Sequence, residues 1–178
     1  MLKPTVSLIS VLLCTALSIT SKAGAADQAL NHNLKPHLGK QVTVDNDTIV
    51  SPDGRALPSG MGTAAEGKFL YEARCLACHG QDGKLPGNEI AGGIGSLTSN
   101  RPLKTVGSYW PHATTLFDYI ARAMPYNEQK SLSANEVYAI TAYVLQLNGI
   151  VEASAVLNKN TLPKIKMPNR KGFNELIH

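Results

Sequence analysis

Five consecutive residues, Cys75-Leu76-Ala77-Cys78-His79, carry two thiols and an imidazole at a spacing with a definite use. Thiols at i and i+3 can reach the two vinyl groups on one edge of a porphyrin and close two thioethers. The histidine that follows is then held beneath the iron. The pattern C-x-x-C-H is the attachment site of c-type haem, so Cys75 and Cys78 are the expected covalent anchors and His79 the expected proximal ligand.

Other chemistries use parts of this pattern. A thiol-disulfide oxidoreductase also needs C-x-x-C, but at a strand-to-helix junction, and here a capped helix precedes the motif. A zinc site needs four ligands. His32 and His37 form an H-x4-H pair, but it precedes the cysteines in an irregular stretch, the reverse of the usual finger order. Haem attachment is the preferred reading, with the redox dithiol as its rival from a different class.

A free sixth position on the iron would suit oxygen or peroxide chemistry, whereas a thioether sulfur closes it, favours the ferrous state and suits electron transfer. Met61 lies too close before Cys75, on the same side of the first helix. Met124 follows a helix stop and precedes Pro125, in a loop from which it can reach the iron from the opposite side. Met167 also precedes a proline in an irregular segment and is the alternative; the ordinary use of either is as a gap-filler in the core. Tyr109 and Trp110 are candidates for hydrogen bonds to a haem propionate, with plain packing an equal use. His112 reads as a surface residue at a helix start.

Three helices must position these groups. Thr63 with Glu66 makes a capping box, and Phe69, Leu70 and Ala73 form an apolar stripe, which predicts a helix from Thr63 to Cys78. Pro111 to Ala123 reads as a second helix, with Leu116, Ile120 and Ala123 on one face and a stop at Pro125. Ser133 and Glu136 form another capping box at the head of a helix running to Asn148. Its stripe is Val137, Ile140, Val144 and Leu147, and Gly149 is its stop. Between the first two helices, residues 80–95 hold six glycines and Pro86, which excludes a long helix.

The flanks have a different character. Met1 to Ala26 reads as a secretory signal: Lys3, an uncharged run from Val6 to Ile19, and small residues that place cleavage after Ala25. The run is too short for a membrane span. A lipid anchor on Cys14 is disfavoured by Leu13 where a small residue is wanted, so Cys14 leaves with the signal. Residues 26–60 form an extension with one alternating stretch, Gln41 to Val50, and turns at Pro52-Asp53-Gly54 and Pro58-Ser59-Gly60. After Gly149 the periodicity is lost. The expected organisation is a signal at 1–25, an extension at 26–60, a haem domain at 61–149 and an irregular tail at 150–178.

Composition agrees with a single haem domain. The 178 residues are 43% hydrophobic and 17% charged, with ten aromatic side chains against 15 Gly and 10 Pro. That is thin for a core unless a large apolar ring is supplied from outside. The net charge of +4 falls to +2 when Lys3 and Lys22 leave with the signal. Such a balance carries no nucleic-acid footprint.

A helix ending in C-x-x-C-H-G, a glycine-rich loop, a helix leading to Met-Pro and a final capped helix together resemble class I cytochrome c, over about Met61 to Gly149. The resemblance implies a mostly α fold around one covalently attached haem, with irregular N- and C-terminal extensions. It also implies that the first and last helices cross at close range, at positions matched by Gly67, Tyr71 and Tyr143.

Longer runs narrow the likeness. TVGSYWPHATTLFDY from Thr105, then Arg122-Ala123-Met124-Pro125, SLSANEVYAITAYVLQLNGIV and LPKIKMPNRKGF resemble the cytochrome subunit of sulfur (sulfane) dehydrogenase, the SoxD type, over about Asp53 to Phe173. That family pairs with a molybdenum-containing subunit in periplasmic thiosulfate oxidation. The implied role is an exported, periplasmic one-electron carrier that is not itself an enzyme, between such a subunit and a small electron acceptor. A freestanding carrier or a sulfite-dehydrogenase cytochrome subunit is the alternative. Some members carry two haem domains; one C-x-x-C-H here implies one haem.

Overall fold

The structure, a computed structural model, describes residues 48–173. The signal segment, Cys14, the His32 and His37 pair and residues 41–47 of the alternating stretch lie outside the described residues. Among the described residues no helix is long and apolar enough to cross a membrane.

Thr63 caps the first helix, α1 (Ala64–Arg74), through the reciprocal pair with Glu66. The sequence predicts this helix to run unbroken to Cys78; instead it ends at Arg74. Cys75 leaves helical geometry at φ −120°, and a one-turn helix, α2 (Leu76–His79), follows it. Hydrogen bonding continues across the joint, since the Cys75 N–H donates to Tyr71 and the Cys75 carbonyl accepts from Cys78 and His79. The two thiols therefore sit at a joint and not along one straight helix.

The second predicted helix appears as α3 (Ala113–Ala123), burying Leu116, Phe117 and Ile120. The third is α4 (Ala134–Leu147), capped by the Ser133 and Glu136 box. Gly149 follows at φ +65°, the left-handed conformation that a helix stop needs. The α4 helix is buried on nearly all sides, from Val137 through Leu145, because α1, α3 and two short strands all pack on it.

The crossing of α1 over α4 depends on a missing side chain. A Cβ at Gly67 would run into the Ala139 carbonyl group and come within 2.9 Å of the Tyr143 Cβ. One turn further on, Tyr71 and Tyr143 meet with ring centroids 5.2 Å apart. The close contact expected from Gly67, Tyr71 and Tyr143 is thus present.

The tail is more ordered than its composition suggests. Residues Met61–Thr63 (β1) and Val156–Asn158 (β2) pair antiparallel, Met61 opposite Asn158, and a 3₁₀ turn follows at Leu162–Lys164. Three-residue strands are too short to show alternation, which is why the sequence reads as irregular here. Leu157, Leu162 and Met167 are buried. Beyond them, Asn169 donates to the Tyr109 carbonyl at 2.7 Å, an Arg170 nitrogen lies 2.8 Å from His112 Nδ1, and Phe173 packs edge-on against Tyr109. The preceding flank is also tied in. Val50 and Leu57 are buried, Asp118 accepts from the Val50 N–H, and Tyr138 donates to the Pro58 carbonyl.

Gly67→Ala is expected to destabilise the protein by about 2–4 kcal/mol, measured by denaturant unfolding, because backbone and not a flexible side chain blocks the added methyl. His112 makes a pH-dependent contribution. Its pKa is lowered, first by burial and then by Arg170. The unfolded chain therefore takes up the proton more readily; the stabilising contribution is full above the ordinary value of 6.5 and is lost as pH falls through the depressed folded-state value. His112→Gln is expected to flatten the fall in stability as pH drops from the ordinary value of 6.5 through the depressed folded-state value, relative to the parent.

Candidate functional site

A cavity of about 1070 Å³ opens between the Cys75–His79 turn and the loop that follows α3. That is at the upper end of the usual size for cofactor sites, about 300–1,000 Å³. One wall carries Cys75, Cys78 and His79; Met124 and Pro125 belong to the lining as well. Val106, Leu116, Ile120, Leu132, Ile140 and Val144 supply an apolar surface from the loop, α3 and α4. The structure thus brings together all four residues singled out from the sequence.

Cys75 and Cys78 form no disulfide. Burial pushes the Cys75 thiol up to about 11, against the opposing pull of Arg74 and with a smaller rise from Cys78. A redox dithiol needs the reverse, a thiolate stabilised near or below neutral pH. The motif is also entered from α1 and not from a strand, so neither the Cys75 thiol nor the local fold favours the oxidoreductase reading. No cluster of three or more His, Cys, Asp or Glu that could hold a metal ion by itself occurs among the described residues.

His79 is oriented by the loop. Its Nδ1 lies 2.8 Å from the Asn88 carbonyl oxygen. A carbonyl can only accept, so Nδ1 carries the proton and Nε2 keeps its lone pair for a metal. The turn itself is tied down by Tyr71, whose hydroxyl donates to the Gly80 carbonyl at 2.7 Å. Burial raises the Tyr71 pKa, so it remains a donor.

Met124 is the residue at which α3 stops, its N–H donating to the Ile120 carbonyl and its own backbone turning extended. This helix end delivers the side chain to the cavity. Met167 is buried in the core away from the cavity lining, and Met61 lies exposed on β1. Trp110 lines the cavity and meets Tyr119 edge-on at 5.5 Å. Tyr109 does not line it; its ring is taken up by Phe173 and lies 5.1 Å beneath the Lys104 ammonium. Across the mouth, Arg74 reaches Glu128 at 3.6 Å and the Ser131 hydroxyl at 3.3 Å, a solvent-facing link between α1 and the loop after Met124.

Sequence reasoning passed over Asn148. Its side chain accepts from the Gly92 N–H at 3.0 Å and donates to the carbonyls of Ile90 and Val144 at 3.1 and 2.9 Å. It thereby fastens the glycine-rich loop, which supplies Ile90 to the cavity, onto the end of α4. Thr105 does similar work, donating to the Gly92 carbonyl at 2.6 Å. An asparagine beside a helix-stop glycine gives no local sign of such partners.

Residues 64–148 match the family model for cytochrome c. Photosystem II extrinsic protein V of Microcystis aeruginosa is 30% identical over 95 residues, spanning 46% of this chain and 70% of that protein. The chain belongs to the cytochrome c family. Cytochromes of this family carry covalently attached haem c, and both thiols needed for attachment are present. The cytochrome is also similar to thiosulfate dehydrogenase of Allochromatium vinosum, 37% identical over 82 residues, 44% of this chain and 29% of that protein. Among solved structures, it resembles the sulfane dehydrogenase SoxCD from Paracoccus pantotrophus, with a TM-score of 0.70 and 44% identity, covering 72% of this chain and 64% of that one. The match thus spans less than two thirds of the SoxCD chain and less than one third of the thiosulfate dehydrogenase.

Asn148→Ala would remove the side-chain acceptor of the Gly92 N–H and one donor each from the Ile90 and Val144 carbonyls, leaving the Ile90 carbonyl only the Val106 N–H. The expected loss is about 2 kcal/mol of stability, seen as a lowered denaturation midpoint of the cytochrome.

Proposed function

We propose that this cytochrome is a periplasmic monohaem electron carrier that takes single electrons from a molybdenum-containing sulfur-compound dehydrogenase subunit and hands them to a downstream carrier. The observation that carries the reading is the meeting of Cys75, Cys78, His79 and Met124 around one apolar cavity. A haem in that cavity would be anchored through Cys75 and Cys78, and its iron would be held by His79 Nε2 and Met124 Sδ. A haem held there supplies reversible one-electron oxidation and reduction of its iron, with no substrate bond made or broken.

The residues around it do the rest. The Asn88 carbonyl keeps His79 in the tautomer that binds through Nε2. Met124, as a soft neutral ligand, favours the ferrous state. The aliphatic wall from α3 and α4 excludes water and limits reorganisation when the charge changes. Likeness to SoxCD at 44% identity supports the sulfur-oxidising partner, and the signal-like N-terminal segment supports export.

The purified protein is expected to retain haem through acid-acetone extraction and to show a sharp α band on reduction; colourless protein made alongside haem-attachment machinery would sink the proposal. Met124→Ala should keep the haem, lose the weak near-infrared-edge band of sulfur-ligated ferric iron and lower the reduction potential. Persistence of that band would move the sixth ligand elsewhere. For the partner, adding a molybdenum sulfur-dehydrogenase subunit with its sulfur substrate should reduce the haem, and no reduction would leave a freestanding carrier.

A further inference from the structure

Charge in the described part of the molecule is divided by position along the chain. Residues 48–152 hold eight Lys or Arg and nine Asp or Glu. Residues 153–173 hold Lys159, Lys164, Lys166, Arg170 and Lys171, and no carboxylate. The body is therefore slightly acidic, and the whole positive excess lies on the C-terminal strap, which is outside the segment matched to the cytochrome c family.

The strap is built to display these charges. Leu157, Leu162 and Met167 are buried beneath it at five-residue intervals, while all five cations are exposed. None of the five pairs with a carboxylate among the described residues. The β1 pairing at one end and the Asn169 bond to Tyr109 at the other hold the backbone in place. That far end grips Tyr109 and His112, the residues on either side of the Trp110-Pro111 pair, and Trp110 lines the haem cavity. A surface bound to the strap is thus brought beside a wall of that cavity.

We infer that the C-terminal strap, residues 153–173, is the docking surface for an acidic face of a folded one-electron redox partner. The inference rests on the electron-carrier reading and adds to it where the partner binds and with what charge. Same-sign charges on an ordered, like-signed surface steer an oppositely charged protein and raise its association rate by roughly 10- to 1,000-fold at low salt. A lipid surface fits less well, because Leu157, Leu162 and Met167 are turned inward and the two large exposed apolar residues of the strap, Val156 and Phe173, lie at its opposite ends, Val156 in the β2 pairing and Phe173 against Tyr109, with no continuous apolar face for insertion.

The test is stopped-flow reduction of the ferric holoprotein by reduced flavodoxin, a small acidic carrier that gives up one electron as the haem iron accepts one. The variant combines Lys159→Gln, Lys164→Gln, Lys166→Gln and Lys171→Gln, leaving Arg170 on His112. A control of equal charge change on the body combines Arg55→Gln, Lys68→Gln, Lys84→Gln and Lys130→Gln. At low ionic strength the strap variant should react about tenfold or more slowly than the parent, and the difference should vanish at high ionic strength. The body control should lose much less, and the small cationic reductant hexaammineruthenium(II) should reduce the strap variant at least as fast as the parent. Equal rates for parent and strap variant, or an equal loss in the body control, overturn the docking site while leaving the carrier reading intact. Lysine-dependent binding to vesicles of equal parts phosphatidylglycerol and phosphatidylcholine, without the kinetic effect, assigns the strap to a membrane and also overturns it. Failure of the parent to accept an electron from either reductant defeats the carrier reading itself.

Discussion

The close crossing of α1 and α4 at Gly67 is the contact on which the remaining geometry depends. With no Cβ at that position the α1 backbone lies against the Ala139 carbonyl, and the Tyr71 and Tyr143 rings meet one turn further on. The end of α1 is then held at a set height on α4, and the Cys75–His79 turn faces the Ile140 and Val144 side of that helix across the cavity. Tyr71 serves twice, as a packed ring and as a donor to Gly80. A shift in the crossing would move the thiols, the imidazole and their floor together.

The opposite wall is held by independent means. Helix α3 packs on α4 and ends at Met124, while Asp118 and Arg122 on its outer face bind each other and the chain at Thr48 and Val50. The glycine-rich loop closes the side, pinned by Asn148 and Thr105. The two walls meet through the core of α4 and through the exposed Arg74 link to Glu128. A surface pair of that kind contributes little stability, so α4 is the element that keeps the walls in register. Burial of a large apolar ring in the space between them accounts for a core that ten aromatic residues would fill poorly.

Outside the family-matched segment, the flanks are not loose additions. Val50 and Leu57 from one side and Leu157, Leu162 and Met167 from the other extend the core, and β1 with β2 joins the two flanks beside α4. The strap that results is rigid enough to present a pattern of charge, which a solvated tail of the same composition would not be. The same segment thus adds to the core through Leu157, Leu162 and Met167 and turns its five cations outward.

Local chemistry determined much of this protein. The C-x-x-C-H spacing named the cofactor, two Ser/Thr-x-x-Glu capping boxes marked helix starts at Thr63 and Ser133, Gly149 marked a stop, and the Met-Pro step placed Met124 at a helix exit. All of these are interactions among residues within four positions of one another, so they are written in the order of the chain. What the tertiary structure decided involves partners far apart: the interruption of the first helix at Cys75, the pairing of Met61 with Asn158, the three bonds of Asn148, and the burial of Met167 where Met124 meets the cavity. Backbone carbonyls such as those of Asn88 and Ile90 carry no residue identity, and a three-residue strand carries no period. Only folding, by bringing such groups within bonding distance, gives them a role.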